Sequence, residues 1–585
     1  MTRRPGRAAA AGPAGPAGLA RSGTTRIAGL ARSGTTGTAG LIAIGISVAC
    51  TFAVAVAGPS VMEPVLPGRP GQPPWSLGLH PSPYLAVGLT AAGLATGTLG
   101  LVLVLRAVHA GWSVPARAVL VAGLLAAAAL TLVPPFGSSD HLSYAAYGRM
   151  FVTGHNPYTT TPAQLAALGD PVARAVQDWS GSPSVYGPLA TAIQGLASLV
   201  GGTSVRLTVF VLGLANLAAF AVTALLLHRM TRRHPVLQLR AALLWACNPL
   251  LLQVLVAGAH VDGQAIVFGV AAVAVMFGPW PKESPGGLVP PRGVRGGGQP
   301  PRDRGGSWGG RPPPVSSSAM AGVLVGLGFA VKVTAALTGA GLAIALVLIL
   351  GRHWRRLVPR LAALGAGFAV TAGAAVAIGG SAMLRQSSQA SDMVSIGSPW
   401  RVIRTIVHFA VAGTAATDTV KCGAIVLAVV LAVLLIRGLT AAAGGTAAFG
   451  RLPAAAGGTA AFALALAWLF AWPYVLPWYD ALAWALLPLV PLVPVVEALG
   501  WLLLARTAAL GFGYLPARQT DAALPPGLGW LQPVVRHGIT PAVLAVATVW
   551  LVSLMLRARP SAPDQPVRGD PPPEASQAPA REASR

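Results

Sequence analysis

Ala118-Val-Leu-Val-Ala-Gly-Leu-Leu-Ala-Ala-Ala-Ala-Leu-Thr-Leu-Val-Pro-Pro135 runs straight into Phe136-Gly-Ser-Ser-Asp140-His141-Leu-Ser-Tyr144-Ala-Ala-Tyr147-Gly148-Arg149. The first half carries no charge and, wound as a helix, is about 27 Å long, close to the thickness of a bilayer core. Two prolines end it, because they cannot continue a helix. The second half then presents an acid, a histidine and two tyrosines at the mouth of the span. Acidic residues number only 16 in 585, and a carboxylate beside a membrane helix is costly to hold, so Asp140 marks a functional position. The alternative is a helix cap: Ser138, Ser139 or Asp140 would accept backbone N–H bonds at the start of a helix near His141.

The rest of the chain repeats the pattern of that stretch. Hydrophobic residues make up 54% and charged residues 10%, against roughly a quarter charged in a soluble domain. Apolar runs are expected to span near 39–58, 83–106, 118–135, 205–228, 239–257, 263–280, 360–378, 421–437, 460–475 and 538–556. The block 319–351 is too long for one span and reads as a tight hairpin with Lys332 at its tip; 481–515 reads as one long helix or two. The fold class is therefore an all-α polytopic membrane protein of about 13–14 transmembrane helices.

A net charge of +25 suggests nucleic acid, but the arginines are not gathered on a polar domain; they flank the apolar runs, as the positive-inside rule requires. Arg106 and Arg117, then Arg229, Arg232 and Arg233, then Arg352, Arg355 and Arg356 mark cytoplasmic turns, which puts Asp140 on the opposite, extracytoplasmic face of the plasma membrane. The organisation follows. Residues 1–38 are a basic, disordered cytoplasmic tail, and 39–280 a first membrane module whose external loop is 136–204. Residues 281–317 form a Pro/Gly/Arg cytoplasmic linker, 318–557 a second membrane module and 558–585 a disordered tail. Cys50, Cys247 and Cys422 have no metal-ligand spacing, so neither a zinc site nor a disulfide framework is expected.

Polar residues of the external segments are dense and non-repetitive. The long loop continues through Gly154-His155-Asn156-Pro157-Tyr158, Asp170, Asp178-Trp179 and Tyr186-Gly187-Pro188. An aromatic belt at the membrane surface is one reading. A sugar site is the other, since ring faces pack on sugar C–H groups while carboxylates and amides take hydroxyls. Asn248-Pro249 reads as a kink inside a span, and His260 and Asp262 at the end of that span cap the next helix or line a site. Lys332, one of three lysines, interrupts an apolar block and calls for snorkelling or a phosphate contact. Arg385 and Arg401 lie in a later external segment, and Trp472-Pro-Tyr474-Val-Leu-Pro-Trp478-Tyr479-Asp480 reads as a shaped wall or a belt.

Asp140-His-Leu-Ser-Tyr144 with Gly148-Arg149, Gly154-His-Asn-Pro-Tyr158, Tyr186-Gly-Pro188, Asn248-Pro249-Leu250, Ala259-His260-Val-Asp262 and Leu476-Pro-Trp478-Tyr479, in that order, resemble the polyprenol-phosphomannose-dependent α-1,6-mannosyltransferases of the MptB type. The resemblance runs from about residue 85 to 556. It implies a GT-C glycosyltransferase that takes mannose from a polyprenyl-phosphate donor and passes it, with inversion, to the 6-hydroxyl of a mannan or lipoglycan acceptor. Asp140 matches the functional aspartate of an early external loop and is the expected base. His141, Tyr144, Asn156, Tyr158, Asp178, Trp179, Tyr186, Trp472, Trp478 and Tyr479 are the expected sugar contacts. Lys332, His260, Arg385 and Arg401 are the expected phosphate contacts, with Asp262 beside them. No cofactor is expected and a divalent metal is left open; the partners are the lipid-linked donor, the glycan acceptor and membrane lipid, with no nucleic acid. A pentose (arabinosyl) donor, or a transporter or flippase, are the alternatives, although the halves of the chain share no repeated motifs.

Overall fold

A computed structural model describes residues 16–278, 312–410, 415–445, 453–516 and 524–558. Among them every regular element is helical. Lipid offers backbone groups no hydrogen-bond partner, so a chain this apolar satisfies them within helices. Nine helices are long and apolar enough to cross a membrane, and five shorter apolar ones accompany them among the described residues. This is a multi-pass, all-α membrane protein.

The segment Pro235–Ala257 lies at the centre, buried on almost every side. Trp245 is fully enclosed there, stacked on Phe220 at 5.1 Å, with its indole N–H donated to the Phe220 carbonyl (3.0 Å). Pro249 interrupts this helix as its residue type requires, and Asn248 repairs the break. The Asn248 Oδ1 accepts from the N–H groups of Leu250 and Leu251 (3.1 and 3.4 Å), a helix cap inside the bundle. Helix Ala116–Thr131 packs on the same segment so closely that a side chain at Gly123 would meet the Ala246 carbonyl oxygen at 2.2 Å.

Two expectations about ambiguous apolar runs resolve clearly. The 319–351 block is a hairpin, helices Val315–Phe329 and Ala336–Leu350, with Lys332 in the turn between them. The 481–515 run is two helices, Ala481–Leu486 and Pro494–Gly513, separated by a short tight turn and prolines. The span expected at 360–378 belongs to a longer helix, Trp354–Ser391, kinked where Gly380 takes φ +69°. At the N-terminus the chain is helical from Pro16 through Ala57, so residues 16–38 of the tail expected at 1–38 are helix. Residues 1–15, the linker over 279–311 and the tail over 559–585 lie outside the described residues.

The long loop after Thr131 is not irregular either. It holds helix Asp140–Val152, two short turns of helix and an apolar helix Pro188–Gly201. Gly148 and Gln194 bring the first and last of these together, since a Cβ at Gly148 would sit 2.1 Å from the Gln194 carbonyl oxygen.

One ion pair is fully enclosed. Arg506 Nη1 donates to Asp480 Oδ1 (2.8 Å), Arg506 Nη2 to the Leu469 carbonyl (2.8 Å) and Thr507 to Asp480 Oδ2 (2.8 Å). Both charged side chains are at most 1% exposed. They clamp the turn Pro477–Asp480 against helix Pro494–Gly513. Removing one partner would strand the other charge, a loss of about 3–5 kcal/mol. Arg506→Met is therefore expected to lower the thermal-unfolding midpoint of the detergent-solubilised protein sharply, while Asp480→Asn paired with Arg506→Met recovers part of the loss.

Candidate active site

Four turns that are far apart in sequence meet at one end of the bundle. They are the start of helix Asp140–Val152, the Gly258–Asp262 turn, the Lys332 hairpin tip and the Trp472–Asp480 segment. Asp140 is at their centre. Its backbone N–H is bonded to Ser138 Oγ (3.1 Å), and the helix start at Ser139 carries no side-chain cap, so the carboxylate is free of the capping duty that the sequence left open. Its side chain is 16% exposed, enough to be reached from two cavities that share it as a wall.

The first cavity has a volume of about 470 Å3. Tyr144 and Tyr147 stand on the same helix face as Asp140, four and seven positions on, and all three line it. Tyr186 meets Tyr144 edge-on at 5.2 Å, and their hydroxyls are 3.3 Å apart. Trp468, Trp472, Tyr474, Trp478 and Tyr479 form the opposite wall. That wall is tied down by Ser395, whose Oγ donates to the Val475 carbonyl (2.9 Å) and accepts from the Val475 N–H (2.9 Å). The second cavity, of about 550 Å3, is more polar and is lined by Asp178, Trp179, Tyr514, Arg404 and Arg536 among others.

Lys332 reaches the first cavity, and its ammonium is shared: Nζ lies 2.7 Å from Asp262 Oδ1 and 4.1 Å from the centre of the Tyr479 ring. The hairpin tip carrying it is pinned by the loop from the other module. Gly187 N–H donates to the Val331 carbonyl (3.0 Å) and Leu189 N–H to the Ala330 carbonyl (2.9 Å). Only glycine fits at 187, because a Cβ there would fall 2.2 Å from the Ala330 oxygen.

His260 is buried, stacked on Trp478 at 3.5 Å with 14° between the rings, and its Nδ1 is 3.5 Å from Asp140 Oδ2. Burial keeps its imidazole neutral, and the nearby Lys332 charge acts in the same direction. The carboxyl of Asp140 is pushed up to about 6, first by burial and then by Asp178 and Asp262, against the opposing pull of Lys332. Two strained residues frame this region: Trp179 (φ +63°) and Ala259 (φ +52°), the latter held by Asn216, which donates to its carbonyl (2.8 Å).

The sequence-derived candidates separate into three groups. Asp140, Tyr144, Trp179, Tyr186, Lys332, Trp472, Trp478 and Tyr479 line the first cavity, and Asp178 the second. Asp178 also accepts a very short hydrogen bond from Ser139 Oγ. His260 and Asp262 support the site from behind. The others are elsewhere. His141 is buried with neither ring nitrogen hydrogen-bonded, and burial pushes it down to about 3, so it is neutral and away from both cavities. Asn156 closes a turn onto the Tyr158 N–H (2.9 Å), and Tyr158 bonds Thr191 (3.0 Å). Arg385 and Arg401 are exposed and line neither cavity; Arg385 donates to Ser381 Oγ (3.2 Å). Sequence reading passed over Tyr147, legible from its spacing to Asp140, and Arg404 and Arg536, which look like ordinary flanking charges in the sequence. Among the described residues no group of three His, Cys, Asp or Glu side chains gathers to hold a metal.

Comparison with known proteins identifies relatives by sequence. Residues 35–348 match the family model described as alpha-(1->6)-mannopyranosyltransferase, N-terminal domain. A probable alpha-(1->6)-mannopyranosyltransferase of Mycolicibacterium smegmatis is 33% identical over 150 residues, 25% of this chain and 26% of that protein. One from Mycobacterium tuberculosis is 33% identical over 150 residues, 25% of each chain. Alpha-(1->6)-mannopyranosyltransferase B of Corynebacterium glutamicum is 26% identical over 198 residues, 34% of this chain and 30% of that protein. The chain thus spans between a quarter and a third of the length of these relatives. No solved structure matches.

The charges around Asp140 make its titration a direct test of the geometry. Infrared difference spectroscopy of the carboxyl band, with Asp140→Asn as reference, is expected to show half-protonation near pH 6. Lys332→Gln removes the one cation holding that value down, so the midpoint moves to higher pH; a downward move would contradict the arrangement.

Proposed function

We propose a reaction for this chain from the premise that it belongs to the alpha-(1->6)-mannopyranosyltransferase family. Mannose is transferred from a polyprenyl-phosphate-mannose in the membrane to the 6-hydroxyl of a mannan or lipoglycan acceptor. The observation that carries this reading is that Asp140 lines both of two adjoining cavities, one of them walled by aromatic rings, whereas Asp178 lines only the second. Aromatic faces suit pyranose rings, and two cavities accommodate two substrates that meet at one base.

In this mechanism the acceptor O6 attacks the anomeric carbon of the donor. Its proton passes to the Asp140 carboxylate as the O6–C1 bond forms. The C1–O bond to phosphate breaks, and its electron pair leaves with the polyprenyl phosphate. A single displacement of this kind inverts a β-linked donor to an α product, whereas a retaining reaction needs a second carboxylate as nucleophile. His260, neutral and wedged between Trp478 and Asp140, positions the carboxylate. A base titrating about 6 is ionised at neutral pH yet still takes up a proton readily.

The site would work at the extracytoplasmic face of the plasma membrane. In support, Arg117, Arg229, Arg232, Arg233, Arg352, Arg355 and Arg356 lie one helix length from it, at the far ends of the helices that lead to Asp140, His260 and Lys332. The names of the relatives favour mannose over a pentose, and transfer over transport.

Two outcomes test this. In membranes supplied with polyprenyl-phosphate-mannose and short α-1,6-mannosides, Asp140→Asn is expected to reduce transfer about 10²-fold or more, since that is the usual scale of a lost general base. Near-normal turnover would remove Asp140 from the chemistry. The wild-type rate should also fall as pH drops below about 6, because the protonated carboxyl cannot accept the O6 proton.

A further inference from the structure

The second cavity carries a charge pattern that the first lacks. Arg536 is 4% exposed, in the π-helical segment Leu531–Ile539 that runs directly into helix Thr540–Arg557. Its guanidinium donates to the carbonyls of Gly513 (2.6 Å) and Pro516 (3.4 Å) and lies 5.2 Å from the centre of the Tyr514 ring. Among the described residues no carboxylate lies within ion-pair distance of Arg536 or of Arg404. Among the described residues the Arg536 guanidinium has carbonyl and ring partners but no countercharge, and burying an unpaired charge is costly. Lys332, by contrast, already has Asp262.

Arg404 extends this cavity outward. It lines both the cavity at Asp140 and a neighbouring one of about 400 Å3, formed with His408, Phe409 and Thr417. Both border helix Pro399–Ala410, whose Val402, Ile406 and Phe409 are 52%, 63% and 89% exposed. Those positions share one face, with Arg404 and His408 elsewhere on the same short helix. An amphipathic helix with a bare apolar face and basic neighbours lies in a membrane surface and attracts anionic lipid. Arg404, Arg536 and Asp140 therefore line one cavity, beside a helix whose bare apolar face suits a bilayer surface.

We propose that the Arg404–Arg536 cavity is the phosphate site of a lipid-linked donor, reached past helix Pro399–Ala410, which leaves the aromatic cavity to the glycan acceptor. The assignment rests on the reading of Asp140 as the base between two substrates. It moves the phosphate away from Arg385 and Arg401, which do not reach Asp140, and away from Lys332, whose charge is taken. Guanidinium forks suit phosphate oxygens, and the exposed apolar stripe suits a prenyl chain.

The test measures binding rather than transfer. The full chain in nanodiscs is titrated with decaprenyl phosphate, decaprenol and inorganic phosphate. Decaprenyl phosphate is expected to bind well above decaprenol, with inorganic phosphate competing weakly. Arg404→Gln and Arg536→Gln should each weaken decaprenyl phosphate binding about 10-fold, the scale of a lost charge-assisted hydrogen bond, and Arg385→Gln should leave it unchanged. If Arg536→Gln does not fold, Arg404→Gln and the charge-retaining Arg536→Lys decide the matter, with loss expected in the first and retention in the second. Unchanged affinity in Arg404→Gln, or loss in Lys332→Gln in place of the arginine variants, overturns the assignment. Affinity lost in the arginine variants, with no transfer from any lipid-linked mannose, would keep the phosphate site and discard the reaction. Transfer that depends on Asp140 but not on the arginines would do the reverse.

Discussion

The pairing of Lys332 with Asp262 is the contact on which the site depends. It joins the tip of a helical hairpin to the first residue of helix Asp262–Phe277, at the floor of the aromatic cavity. Asp262 lies close enough to Asp140 to raise its cost of ionisation, and the Lys332 cation between them opposes that rise. Without it the bundle would hold two carboxylates and no countercharge, the arrangement that buried sites avoid. The ammonium also faces the Tyr479 ring, so one side chain couples two of the four turns to the carboxylate they surround.

The other turns are held by contacts of different chemistry with the same result. Asp480 and Arg506 clamp the Trp478–Tyr479 turn from inside the bundle, and Gly187 lets a loop from the first module lie directly on the Lys332 hairpin. His260 fills the space between Trp478 and Asp140. The carboxylate is consequently positioned by rigid packing on every side except the two cavities. Such preorganisation is what the base role proposed for Asp140 would need, to meet a hydroxyl without reorganising at the moment of reaction.

The family match over residues 35–348 contains Asp140, His260, Asp262 and Lys332, the polar centre of the site. Trp472, Trp478, Tyr479, Arg404 and Arg536 lie beyond it, yet they wall both cavities. The site is thus built across the whole chain. The matched stretch holds the carboxylate and the charges around it, and the rest of the chain supplies much of the aromatic and basic wall of the two cavities.

Read alone, the sequence determined the membrane class, the hairpin around Lys332 and the prominence of Asp140, because apolar runs, proline breaks and a rare acid are local signals. It also picked out the aromatic residues of the Leu476–Tyr479 turn and the Tyr144 and Tyr186 pair. It could not separate residues that look alike in one dimension. His141 and His260 each lie within two residues of an aspartate, and only packing shows the first enclosed away from the cavities and the second stacked on Trp478 with its Nδ1 3.5 Å from Asp140. Arg385, Arg401, Arg404 and Arg536 are all basic residues near span ends, and only the tertiary structure puts two of them on the wall of a cavity that Asp140 also lines. The reason is physical. Hydropathy and helix-breaking act within a few residues, whereas the charge seen by a carboxylate is set by whichever helices the bundle brings within a few ångströms of it.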